Sequence, residues 1–205
     1  MRLAGFLLCA MVLGQESKPR IVKAIAPGLT DEARLARLDG TVPLEMTIDE
    51  QGVPQSVRVL RALGLGLDEE AIRAYSQWRF ERGDGTRGPV TTKAQATFAA
   101  MTNPTEWRLA RATFDTPSGA SRPRVVSVQF PAPENKNLRA SVAISFDVGD
   151  DGAPANFHVE SSSDARWEPA VIAAAKHWRL QPALKNDSPI AVRATFEFVH
   201  GPRGL

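Results

Sequence analysis

Few residues in this chain could do chemistry, and their spacing argues against it. His158, His177 and His200 stand far apart, and no cysteine or carboxylate lies near them at metal-ligand spacing. All three read as surface histidines. Ser161, Ser162 and Ser163 read as a loop rather than a nucleophile elbow. The stretch Gly83-Asp84-Gly85 reads as a turn, because a phosphate loop needs more glycines and a basic residue ahead of a helix. Asp68, Glu69 and Glu70 form a carboxylate cluster, but Asp68 suits a helix cap and the two glutamates suit the positive end of a helix dipole. Trp78 and Trp178 could stack on a ligand; they also continue an apolar helix face, which places them in a core. Arg79 and Arg179 then border that core. No catalytic, cofactor-binding or metal-binding set emerges, and the expectation is a protein that is not an enzyme.

Bulk properties fit that expectation. The 205 residues suffice for one or two domains, with 43% hydrophobic and 23% charged residues, as in an ordinary globular chain. A net charge of +2 gives no electrostatic reason to expect nucleic acid or an anionic membrane surface. Residues 1–14 differ: Met1-Arg2 precedes an uncharged apolar run that ends at Gly14, ahead of Gln15-Glu16-Ser17-Lys18. A basic start, a short apolar run and a small residue read as a secretory signal, with cleavage after Gly14, and so as a periplasmic protein. An uncleaved signal holding the chain at the inner membrane is the alternative. Cys9 is the sole cysteine, and Leu8 before it argues against a lipoprotein signal. Removal of residues 1–14 would leave no thiol chemistry.

The elements that would position a site repeat. Residues 40–98 align with residues 140–198 at an offset of 100 without gaps. Identical pairs include Val42/Val142, Gly52/Gly152, Pro54/Pro154, Ile72/Ile172, Trp78/Trp178, Arg79/Arg179 and Phe98/Phe198, and hydrophobic class matches throughout. Val42, Leu44, Met46 and Ile48 alternate with polar residues or Pro43, as in a half-buried strand. Asp49 to Gly52 then predicts a hairpin turn and a return strand through Val57 and Val59. A helix follows, with Asp68 as cap in the first copy, and Glu168 as cap with Pro169 at the first helical position in the second. Val90, Thr92, Ala94, Ala96 and Phe98 form a last strand, matched by Ile190, Val192, Ala194, Phe196 and Phe198. A short first helix over residues 30–38 starts at Thr30; its counterpart is reduced to residues 133–138.

The fold class expected is α+β, with two tandem modules. Each is a three-stranded antiparallel sheet packed against one long and one short helix. Module 1 spans residues 19–99 and module 2 residues 123–200. Residues 100–122 read as a linker, in which Trp107, Leu109 and Phe114 call for an extra strand or for packing against a copy.

The blocks Thr30-Asp31-Glu32-Ala33-Arg34, Asp39-Gly40-Thr41-Val42, Asp49-Glu50-Gln51-Gly52-Val53, Leu63-Gly64-Leu65-Gly66-Leu67-Asp68-Glu69-Glu70-Ala71-Ile72, Gln77-Trp78-Arg79-Phe80 and Gly88-Pro89-Val90 resemble, in order, the C-terminal domain of TonB. The second copy is more divergent but keeps Phe130-Pro131 and His177-Trp178-Arg179-Leu180-Gln181-Pro182-Ala183. The resemblance implies an exported binding protein of the cell envelope with a protein partner, such as an outer-membrane receptor, and no nucleic acid, cofactor or small-molecule substrate. The TonB domain captures a receptor segment as an added strand along the edge of its last strand. The matching residues here are Val90, Thr91, Thr92, Lys93, Ala94, Gln95, Ala96 and Thr97, with Ile190, Ala191, Val192, Arg193, Ala194 and Thr195 in the second copy. A full energy transducer also carries a membrane helix and a long proline-rich spacer, and this sequence shows neither. The expectation is therefore the binding half without the energised half. The alternative is a closed pseudo-dimeric scaffold, with the two copies pairing edge to edge and leaving no free edge.

Overall fold

A computed structural model describes residues 19–81, 88–100, 106–132 and 139–201. The signal read in residues 1–14 and the reduced helix expected at 133–138 lie outside the described residues. Among the described residues no helix is long and apolar enough to cross a membrane.

Module 1 runs β1 (Arg20–Lys23), α1 (Asp31–Leu35), β2 (Gly40–Ile48), β3 (Pro54–Val59), α2 (Leu67–Ser76), β4 (Arg79–Glu81) and β5 (Val90–Phe98). A further strand, β6 (Arg108–Asp115), follows. Module 2 runs β7 (Arg124–Ser127), β8 (Ala140–Val148), β9 (Pro154–Ser162), a 3-10 turn (Ala165–Trp167), α3 (Glu168–Ala175), β10 (Arg179–Gln181), β11 (Ala183–Lys185), β12 (Ser188–Ile190) and β13 (Val192–His200).

The alternation in the sequence sets the sheets. Val42, Leu44, Met46 and Ile48 are all buried along β2, and Val142, Ile144, Phe146 and Val148 along β8. Both rows face the helices, as period-two patterning requires. β2 is the centre of a three-stranded antiparallel sheet in the order β3-β2-β5. The second sheet is four-stranded, in the order β6-β13-β8-β9, and corrects the expected three. The added strand comes from the linker. Short ribbons β1-β4 and β7-β10 accompany the two modules, and β11-β12 forms a third hairpin.

Local chemistry explains the turns and caps. Thr30 caps α1, its hydroxyl accepting the Ala33 N–H at 3.1 Å. Gly66, not Asp68, is the cap of α2; the Asp68 carboxylate turns back instead and accepts the N–H groups of Leu63 and Gly64, each at 2.9 Å. In α3 the cap is Trp167 rather than Glu168, because the 3-10 turn, capped by Asp164, feeds directly into the helix. Gly52 and Gly152 hold φ of +78° and +76°, and a Cβ there would lie 1.8 Å from the Phe80 carbonyl oxygen and 1.7 Å from that of Leu180. Both hairpin turns thus press on the strand that follows the helix, where only glycine fits.

One continuous buried cluster includes residues of both modules together with Trp107, Leu109 and Ala112. β6 is used on both edges. Toward module 2 it pairs with β13; toward module 1 the Ala112 N–H donates to the Leu63 carbonyl at 3.0 Å and the Leu109 carbonyl accepts the Asp39 N–H at 3.0 Å. Its alternating backbone groups are therefore divided between the two halves of the molecule.

Candidate functional site

The candidate site consists of the outer edges of the two last strands, β5 and β13. Backbone direction decides what each edge offers. The Pro43 carbonyl accepts the Leu60 N–H at 2.9 Å, so odd-numbered residues of β2 point their backbone groups toward β3. Pro43 lies opposite Gln95, which places Gln95 in a non-hydrogen-bonded pair with β2. By the alternation of the antiparallel ladder, Thr91, Lys93, Gln95 and Thr97 present N–H and C=O away from β2. Their side chains are exposed, while Ala96 and Phe98 are buried. Among the described residues β5 pairs with β2 only.

On β13 the alternation leads to the opposite result. The Ser141 carbonyl accepts the Ser163 N–H at 2.8 Å, so odd residues of β8 face β9, and odd residues of β13 face away from β8. That outward edge is filled. Arg193 pairs with Asp115, Thr195 with Thr113 and Glu197 with Arg111 of β6, antiparallel. Of the residues expected to receive a partner in module 2, Val192, Arg193, Ala194 and Thr195 lie in a strand with neighbours on both sides, and Ile190 pairs with Ala183 in the β11-β12 hairpin. Among the described residues the two modules do not pair edge to edge either, unlike the closed pseudo-dimer of the alternative reading. Closure of β13 comes from the connecting strand.

Aromatic residues behind the edges differ between the copies. Trp78 and Trp178 donate their indole N–H to the carbonyls of Ile25 (2.8 Å) and Gln129 (2.7 Å), so each pins the chain leading into its own module. In module 1 the Tyr75 ring stacks on Trp78 with centroids 4.1 Å apart. In module 2 the equivalent helix position is Ala175, and Phe196 of β13 lies 5.3 Å from Trp178 instead, at the position equivalent to Ala96. Each tryptophan thus has an aromatic neighbour that its counterpart lacks, contributed by the helix in module 1 and by the strand in module 2. The Tyr75 hydroxyl donates to the Gln95 carbonyl at 2.7 Å, on the outward edge of β5. Burial pushes the Tyr75 pKa up, so the hydroxyl stays protonated as a donor.

The remaining candidates have structural roles. Arg79 and Arg179 each donate to the carbonyl of the preceding tryptophan at 2.6 Å and reach the last helical turn, satisfying helix C-terminal carbonyls. His158 and His177 are exposed, whereas His200 is buried at the end of β13 with its ring 5.3 Å from Trp107, which corrects its reading as a surface residue. The Trp107 ring on the connecting segment lies against it.

A model of the Gram-negative bacterial TonB protein C-terminal family matches residues 27–99 and again residues 129–200. No curated protein gives a significant match.

Proposed function

This chain belongs to the family of the Gram-negative bacterial TonB protein C-terminal domain, and on that premise we propose that it is a non-enzymatic periplasmic protein that binds one extended segment of an envelope protein by strand addition to β5. The observation that carries this reading is the asymmetry of the two edges. Thr91, Lys93, Gln95 and Thr97 turn their backbone groups away from β2, and β2 is the sole strand paired with β5 among the described residues. An extended peptide completes such a row of donors and acceptors. Module 2, with β6 laid against β13, serves as a closed supporting half rather than a second capture site. The partner class that fits is a protein with an exposed unstructured segment, such as an outer-membrane receptor.

Photo-crosslinking in cells tests it, with a crosslinking amino acid placed in turn at residues 91, 93, 95 and 97 and, as a control, at 193 and 195. Crosslinks from β5 to a short segment of another envelope protein are expected, with none from the control positions. Crosslinks from β5 only to this same chain would refute the reading and leave a closed scaffold.

A further inference from the structure

Resting on the strand-capture reading of β5, we propose that Tyr75 guards that edge: its hydroxyl occupies the place of a partner's backbone N–H, and the segment that displaces it runs antiparallel to β5, as β6 runs along β13. The repeat is its own control. Gln95 and Thr195 are equivalent positions, and both point their backbone outward. Thr195 lies opposite Thr113 of a neighbouring strand. The Gln95 carbonyl has instead the Tyr75 hydroxyl at 2.7 Å. The copy that holds a strand on its edge has Ala175 at the helix position of Tyr75, and so has no hydroxyl there.

Packing explains how the hydroxyl comes to be there. Module 1 combines Tyr75 with Ala96, and module 2 combines Ala175 with Phe196. The ring volume is conserved across each pair, as close packing demands. Phenylalanine would fill the space in module 1 equally well, and the phenolic oxygen adds only the bond to the edge. An exposed edge strand is a liability that proteins blunt by covering or satisfying its backbone groups. Tyr75 satisfies one acceptor at the middle of the edge while leaving the N–H groups of the strand for a ligand.

β6 shows the chemistry of the occupant. It places Ala112 opposite Phe196 and Phe114 opposite Ala194, so small and large apolar residues interlock on the buried face, while Arg111 and Thr113 alternate with them. On β5 the corresponding residues are Ala96 and Ala94, both small, so the fitting segment carries apolar side chains at alternate positions opposite them.

The test measures binding of a fluorescent, end-capped peptide with the sequence of residues 107–115 to the purified protein. It compares the natural chain, Tyr75→Phe, and Tyr75→Phe combined with Lys93→Pro, which removes an outward N–H without touching the β2 ladder. Freeing the Gln95 carbonyl should tighten binding by about three- to tenfold, the equivalent of one net hydrogen bond. The double variant should lose binding. Equal affinity of the natural chain and Tyr75→Phe, with binding lost in the double variant, would overturn the guard and leave strand capture standing. Binding by none of the three would overturn the proposal, and the crosslinks from β5 would then decide capture separately. Binding that survives Lys93→Pro would place the peptide elsewhere and overturn the proposal.

Discussion

The buried carboxylate of Glu32 accepts the backbone N–H of Val125 at 2.9 Å, joining the first helix of module 1 to the first strand of module 2. Arg122 donates to the same carboxylate twice, at 2.9 and 3.1 Å, and Arg124 at 3.1 Å. One side chain thus receives the chain as it enters the second module. Glu32→Ala would leave the Val125 N–H buried without a partner and take from Arg122 and Arg124 the carboxylate they share. A loss of about 2–4 kcal/mol in urea denaturation is expected. A loss within error of zero would mean that the cluster contributes nothing to joining the modules.

Acid should weaken the same junction. Burial alone would raise the Glu32 pKa, but the hydrogen bonds from Arg122 and Val125 outweigh it and hold the folded value below the ordinary 4.5. The ionised form therefore adds stability above 4.5, and that contribution is lost as pH falls through the lower folded value. Asp68 acts in the opposite sense. Burial raises its pKa above 3.8 despite the N–H groups of Leu63 and Gly64, so protonation there favours the folded state as pH falls through the raised value. Denaturation midpoints measured across this range should fall less steeply in Glu32→Gln, and more steeply in Asp68→Asn, than in the natural protein. Parallel curves for all three would contradict both assignments.

Gly64 should be among the least replaceable glycines. Its φ is +101°, and an added Cβ would lie 1.6 Å from the Ala112 carbonyl oxygen. Gly119 also has a positive φ, +78°, but open space around it. Gly64→Ala carries both backbone strain and a collision with β6, and a loss of about 3 kcal/mol or more is expected; Gly119→Ala should cost about 1–2 kcal/mol. Thermal denaturation of the two variants compares them. Equal losses would show that β6 can move away from module 1 at little cost.

Amide hydrogen exchange should read the ladder directly. In β5 the even-numbered amides of Thr92, Ala94 and Ala96 bond to β2 and should be protected, whereas those of Thr91, Lys93, Gln95 and Thr97 should exchange much faster. In β13 both sets should be slow, because β8 and β6 take alternate residues. Alternation in β13, or its absence in β5, would contradict the assignment of the open edge.

The repeat, the α+β class, the buried rows of β2 and β8 and the glycines of the hairpin turns were all legible in the residues, because period-two patterning and turn chemistry are local. The family resemblance was legible for a related reason, since its blocks are the turns and helix starts that local rules constrain. The precise caps were less so: Asp68 has the chemistry of a cap, yet it serves the backbone of the preceding loop, which only the folded loop brings near. Trp107, Leu109 and Phe114 marked the linker as more than a tether, but nothing in their spacing states which edge they complete. That depends on a pairing such as Thr113 with Thr195, 82 residues apart in the chain. An edge's freedom is a property of what else lies beside it. Two strands with similar patterns therefore differ in what lies along their edges only in the tertiary structure, where β6 fills one edge and a tyrosine hydroxyl touches the other.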